Sequence, residues 1–502
     1  MRKKMTVLAL LGVLMAGVAS AGEVLVTEDI AISTTWTADN VYNLQDQIYV
    51  LPGASLTIEA GTLIQSTAGL GGSLAVTRGA KIYVNGTAEA PVIMTSTNDD
   101  LATWREAANE WGNLTLMGNG LISASHYKGE QVLGNDKLPN GLNVKQMEGL
   151  TAVVGFEDYV MYGGNDDDDD SGSISYLSLR YGGKVVGLAN ELNGLSLGGI
   201  GRETTIDHIE IINNVDDGIE IWGGTVNLSY VSIWNVGDDS FDVDEGWRGK
   251  AQFGLIVQGY SLEAKQGSGV GDNCFETDGA EDSDAQPVTT ANIYNFTVVG
   301  QPKSGDHGTA WRDNARVQYH NCIWMDLGEQ LVKFDGDDGD GASGYGYNGT
   351  LTWEDTWATD YSVTSTVNAG DADPAALYQA QTSGKLASIT DSLFYNNTHS
   401  KAYAEAEARG VFDPNNNNVV EPEVSTIREL VRGEEVFLYG SYTMAPVIYL
   451  NPRAYSLDSI FAVDTAPAED GYLMPAQFRG GFGPYDNWLA GWSAAASFGM
   501  TD

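Results

Sequence analysis

The sequence predicts an all-β chain wound as a parallel β-helix, and three observations predict it. Residues 207–221 and 229–243 are one pattern written twice, at a constant offset and without a gap. Asn213 falls on Asn235, and Asp216-Asp217 on Asp238-Asp239. Self-similarity at a short fixed period marks a solenoid, in which each repeat buries its apolar face only by stacking on its neighbours. Within each copy the apolar residues alternate (Ile209/Ile211 and Ile219/Ile221; Val231/Ile233 and Phe241/Val243), which is the periodicity of strands. The strands are separated by Asn, Asp and Gly, the residues that turn corners. Two short strands per repeat describe one coil.

At 502 residues the chain is long enough for about three ordinary domains, but a solenoid core is a column and can extend through one elongated domain. Residues 1–21 read as a cleavable export signal: Arg2, Lys3 and Lys4, an apolar run from Val7 to Val18, then Ala19-Ser20-Ala21. No later run has the length of a membrane helix, so the expected product is exported, without a transmembrane segment, and extracellular, periplasmic or on the cell surface. Residues 22–100 carry the first coils and a cap: Leu56/Ile58 and Ile82/Val84 alternate, and Gly53, Gly61, Gly79 and Gly86 stand at corners. An end cap matters because an open coil is a free sheet edge. Residues 101–172 form a loop-rich excursion, with Trp111 to Leu116 as one more strand and the five acids Asp166 to Asp170 as a solvated or ion-bound loop. Coils resume over 173–335, a second excursion occupies 336–388, and 389–450 holds a last coil and a short helix from Tyr403 to Ala408. The aromatic, Gly-rich tail within 451–502 is expected to cap the far end.

The formal charge is −42, and loss of Arg2, Lys3 and Lys4 with the signal moves it to −45. So acidic a chain is repelled by nucleic acid and by anionic lipid. Divalent cations or a saline exterior would screen it; solubility of an exposed exported protein is the plainer reading. Cys274 and Cys322 are one disulfide or two buried thiols.

The register of the repeat places Asp216 over Asp238, Asp217 over Asp239 and Glu220 over Asp242, about 4.8 Å apart. With Ile219, Ile221, Phe241 and Val243 inward, Glu220, Trp222, Asp242 and Asp244 point outward on one face. Like charges so close are unfavourable unless a cation intervenes. Asp216, Asp217, Glu220, Asp238, Asp239, Asp242 and Asp244 are therefore the candidate Ca²⁺ ligands, with Glu276 and Asp278 of the next coil as further ones. The competing reading is that the Asp residues cap turns through their own backbone amides. Two other acidic loops, Asp335 to Gly341 and Asp413 to Asn418, lack the spacing of a calcium loop. Trp222 is the candidate for stacking on a sugar. No organic cofactor motif occurs.

Several stretches carry a resemblance: Leu56-Thr57-Ile58-Glu59-Ala60-Gly61-Thr62, Asn193 to Gly201, Gly223-Gly224-Thr225-Val226, Gly246-Trp247-Arg248-Gly249-Lys250-Ala251-Gln252-Phe253, and Phe478-Arg479-Gly480-Gly481-Phe482-Gly483 with Asn487-Trp488-Leu489. Together they resemble exported bacterial right-handed, pectin-lyase-like β-helix proteins of largely unassigned function, from about residue 45 to the C-terminus. The resemblance implies a right-handed, single-stranded β-helix and a secreted or surface role. Asn214 to Glu220 and Gly237 to Phe241 also resemble the acidic motifs of polygalacturonase-type glycosidases. That likeness implies Asp217, Asp238 and Asp239 as catalytic acids, although the Gly-His-Gly expected a coil later is missing and Asp306-His307-Gly308 is the nearest substitute. A lyase would need a cation and a basic residue to take the proton, and Arg248 and Lys250 follow the acidic stretch. Two functions thus stand: a non-catalytic protein, Ca²⁺-stabilised, that binds carbohydrate or other cell-surface components or serves a structural role there; or a polysaccharide-cleaving hydrolase or lyase acting at the Asp216–Asp244 face.

Overall fold

A computed structural model of the chain describes residues 22–123, 144–152, 154–187, 190–259, 271–280, 287–334, 352–361, 383–437, 443–455, 460–463 and 471–502. The expected signal, the Asp335–Gly341 loop and most of the second excursion lie outside them.

Alternation within each short strand sends one set of side chains into the column and the other outward. Nine such strands, one per coil, form a parallel sheet whose spatial order is the chain order: β1 (Gln47–Val50), β2 (Ser73–Val76), β3 (Leu114–Met117), β4 (Leu195–Gly198), β5 (Ile219–Trp222), β6 (Phe241–Asp244), β7 (Phe275–Asp278), β8 (Thr309–Arg312) and β9 (Val332–Phe334). One inward row runs Val50, Val76, Leu116, Leu197, Ile221, Val243, Thr277, Trp311 and Phe334. From Val50 to Val243 no member is more than 1% exposed. Each such apolar side chain contributes about 1.5–3 kcal/mol by leaving water, so the column is its own core. The chain is a parallel β-helix, as its repeats predict.

The other sides of the coils join a seventeen-stranded sheet. Its long strands bend where one residue per coil takes the left-handed conformation: Tyr176 (φ 51°), His208 (φ 50°), Tyr230 (φ 56°), Phe253 (φ 61°) and Asn295 (φ 54°). Register places these bends in one row. Left-handed backbone costs a non-glycine residue roughly 1–2 kcal/mol, and here stacking offsets it. Tyr176, His208, Tyr230 and Phe253 follow one another with ring centroids 4.1, 4.2 and 5.1 Å apart.

Several expectations change at the periphery. The tail does not close the far end: Phe482, Leu489, Trp492, Ala494 and Ala495 pack along the flank, against Ile212, Trp234, Leu255, Val299 and Leu393. A flank spanning many coils buries more apolar surface than one coil's edge. The Asp166–Asp170 loop is not merely solvated, because Asp167 pairs with buried Arg248 and Asp170 with Lys81. Asp413 caps its own turn, accepting from Asn415 N at 2.8 Å, and the short helix spans Ala404–Ala408. Cys274 and Cys322 are two buried, unbonded thiols. The first coil pairs on one side only among the described residues: Gly22–Val26 with Asn40–Leu44, and Thr34–Trp36 with Ser55–Glu59. Among the described residues no helix is long and apolar enough to cross a membrane.

An acidic cleft on the nine-stranded sheet

The outward row beside that core reads Tyr49, Ala75, Thr115, Ser196, Glu220, Asp242, Glu276, Ala310 and Lys333. Its small middle members leave room for residues 144–152 and 154–162, which cross the sheet as a roof. Met147, Leu150, Val160 and Tyr162 of that roof pack on Tyr49, Ala75, Met117, Ile122 and Trp222. Beyond the roof the row turns acidic.

The corners before β5 to β8 supply further acids. They stack as the strands do, since Gly218 N donates to Asp239 O, Ser240 N to Asn273 O and Cys274 N to His307 O. One stacked set is Asp217, Asp239, Asn273 and His307, and beside it stand Asp216, Asp238, Asp272 and Asp306. Along this stack, and from Asn193 in the coil before it, side chains serve the following coil: Asn193 Oδ1 accepts from Asp217 N at 3.3 Å, Asp217 Oδ1 from Asp239 N at 2.8 Å, and Asp239 Oδ1 from Asn273 N. The Asp residues thus cap the next coil and not their own turn. That is why the Asp-Asp pair repeats with the period of the fold.

These elements enclose an open cleft of about 360 Å³ lined by Glu148, Asp216, Asp217, Glu220, Asp238, Asp239, Asp242, Asp272, Glu276 and Arg312. Glu148 belongs to the roof. Arg312, the basic residue among that lining, is already engaged, bonded to Asp278 through Nε and Nη2 at 2.8 Å each and paired with Glu276. Burial, then mutual repulsion, pushes Asp216, Asp217, Glu220, Asp239 and Asp242 well above the usual carboxylate range. Burial, with Glu276 and Glu191 nearby, pushes Asp238 up to about 6. Asp272 is pushed up to about 8 by burial and by its hydrogen bond to Asp306.

Two triplets of oxygens have the spacing of a cation's ligand sphere: Asp216, Asp217 and Asp238, and Asp217, Glu220 and Asp242, each with one atom per residue within 4.8 Å of the others. Asn273 follows Asp239 in the stack, its Nδ2 donating to Glu276 Oε2 at 3.2 Å. It is 5% exposed, and its Oδ1 has no hydrogen-bond partner among the described residues. A buried, unpaired amide oxygen beside converging carboxylates suits a hard, oxygen-seeking cation such as Ca²⁺.

The structure therefore brings Asp216, Asp217, Glu220, Asp238, Asp239, Asp242 and Glu276 together. It leaves out the others. Asp244 points outward without lining the cleft, and its Oδ1 accepts from Glu245 N at 2.5 Å. Trp222 also points outward, but the roof covers it; it is 5% exposed, with the Tyr162 ring 6.0 Å away, so it offers no open face to a sugar. Arg248 is fully buried, bonded to Asp167, Leu121 O and Gly246 O. Lys250 is buried in a strand of the larger sheet, Lys250–Val257, where its amide donates to Asn227 Oδ1 at 3.0 Å. Neither basic residue reaches the cleft. Sequence reasoning missed Glu148 and Asp272. The sequence between Asp238 and Asp272 is longer than the repeat, so Asp272 falls out of step with it, and Glu148 arrives on a roof that has no periodicity.

Fold and cleft together define a parallel β-helix protein with a carboxylate-lined cleft on one sheet. The family is then specific: the model described as a pectate-lyase-like β-helix domain matches residues 27–394, well over half of the chain, and the chain belongs to that family. Such a domain fits a carbohydrate-related protein. Neither the curated proteins nor the solved structures yield a match.

Proposed function

We propose that this chain is an exported or surface protein that binds acidic polysaccharide through calcium held in the Asp216–Asp242 cleft, without cleaving it. The observation that carries the reading is the convergence of nine carboxylates around a single, already paired Arg312. A cluster of that sign repels a uronate chain unless a cation lies between them. Asp216, Asp217 and Asp238 would hold one ion, and Asp217, Glu220 and Asp242 would favour a second or a shifted position. Calcium supplies a bridge to carboxylates of the glycan. Binding is favoured over elimination because the expected bases stand away from the cleft, Arg248 on Asp167 and Lys250 buried in a strand of the larger sheet, and Arg312 of the cleft is paired with Asp278 and Glu276. Asp217 and Asp239 are likewise occupied as caps. The expected signal and the net charge support a location outside the cytoplasm.

Hydrolysis is the second reading, and one observation favours it. Asp238 and Asp272, in adjacent coils of the same cleft, titrate near about 6 and about 8, and a pair pushed apart in this way can divide base and acid roles. Incubation with uronate-containing and neutral polysaccharides in millimolar calcium separates the readings. Retention of a uronate polymer that EDTA abolishes, with no new reducing ends or unsaturated uronate absorbance, is expected. New reducing ends lost in Asp238→Asn and Asp272→Asn would replace binding by hydrolysis.

A further inference from the structure

On the other side of the roof lies a second pocket of about 360 Å³, walled by Tyr49, Leu51, Phe156 and Tyr159 and edged by Asp29 and Thr151. Its aromatic rings meet as a cluster, Tyr159 lying 5.2 Å from Phe156 and 6.3 Å from Tyr49 between ring centroids. Phe156 is 52% exposed, so water covers an aromatic face that the fold leaves open. Tyr49 is held by its strand: its amide donates to Asp29 Oδ1 at 2.9 Å, which also fixes that carboxylate at the rim. Tyr49 belongs to the same outward row as Glu220, Asp242 and Glu276, four strands before Glu220, or about 19 Å away at the usual strand spacing.

We infer that this pocket is a sugar-binding subsite for neutral hexose or pentose units, independent of calcium. The inference rests on the carbohydrate reading above and extends it. A pyranose ring offers apolar C–H faces and a rim of hydroxyls. Tyr49, Phe156 and Tyr159 supply the apolar faces, while Asp29 and Thr151 supply rim acceptors and a hydroxyl, the pattern of a small-molecule site with few polar groups on an apolar wall. A uronate would face Asp29 and, in the adjoining pocket, Asp46, while Lys184, the basic side chain lining that pocket, donates to Gly71 O at 3.2 Å. Phe156, and Tyr159 in part, supply here the open aromatic faces expected at Trp222, above the buried ring of Tyr49.

The test is isothermal titration of the purified chain with cello-, xylo-, manno- and laminarihexaose in EDTA, repeated on Phe156→Ala and Asp242→Asn, with melting temperatures measured for each. At least one hexaose should bind without calcium. Phe156→Ala should weaken it about tenfold, the loss of one stacking face, with the melting temperature little changed because Phe156 is half exposed. Asp242→Asn should leave it unaltered. Unchanged affinity in Phe156→Ala, or no binding of any hexaose, would overturn the subsite while leaving calcium-dependent uronate retention to stand or fall on its own. Loss of uronate retention with hexaose binding intact would overturn the cleft alone.

Discussion

At Asp217 a single carboxylate holds two parts of the account together. Its Oδ1 accepts the amide of Asp239, and its side chain also belongs to both candidate ligand triplets. Substitution separates the roles. Asp217→Ala leaves a buried amide unsatisfied and should cost about 1–3 kcal/mol, read as a lower denaturant midpoint. Asp217→Asn keeps the acceptor and removes one of several crowded charges. In metal-free buffer at pH 8 it should unfold no earlier than the native chain, and calcium should stabilise it less. Arg312 is the complementary case. It faces Glu276 and Asp278, so Arg312→Ala should lower the melting temperature more at pH 8, where more of the cleft is ionised, than at pH 5.

At the scale of elements, the roof over 144–152 and 154–162 decides where the surface is open. Trp222 is buried beneath it beside Tyr162, and Trp222→Ala should cost about 3–5 kcal/mol by leaving a cavity. Faster proteolysis within the roof than within the coils would show that the loss is local. The tail is fastened by Glu210, whose carboxylate accepts from Ala494 N at 2.6 Å and Ala495 N at 3.0 Å. How much was legible in the sequence follows from the same elements. Between Ile219 and Phe241 the coil adds no insertion, so the repeat reveals both the strands and the stacking of Glu220 on Asp242. Between Leu114 and Leu195, which are equally direct neighbours in the sheet, the chain makes a long excursion, and no period survives. The acids on successive short coils were therefore readable. The roof that covers Trp222 and the pairing of Arg248 with Asp167 depend on contacts between distant segments, which alternation does not encode.

For the whole molecule the governing quantity is the charge confined to one sheet. Asp238 and Asp272 rise from an ordinary 3.8 to about 6 and about 8 on folding, so the native state holds protons that the unfolded chain has released. Their contribution to stability is fully present below about pH 4 and is lost as pH rises through about 6 and then about 8, at no more than about 1.4 kcal/mol per pH unit for each group. Metal-free protein should consequently melt at a higher temperature at pH 5 than at pH 8, the reverse of a protein stabilised by paired carboxylates. A cation bound to the ionised cleft reverses that slope by mass action.

The most direct measurement is calcium titration into metal-free protein at pH 7.5 by calorimetry, with Asp242→Asn and magnesium as controls. Saturable calcium binding in roughly the 10⁻⁴–10⁻³ M range of extracellular sites, weakened in Asp242→Asn and accompanied by a rise in melting temperature, is the predicted result. No saturable heat and no thermal shift up to about 10 mM calcium, roughly ten times the weakest expected dissociation constant, would contradict the account and leave the acids of the cleft with a structural role alone.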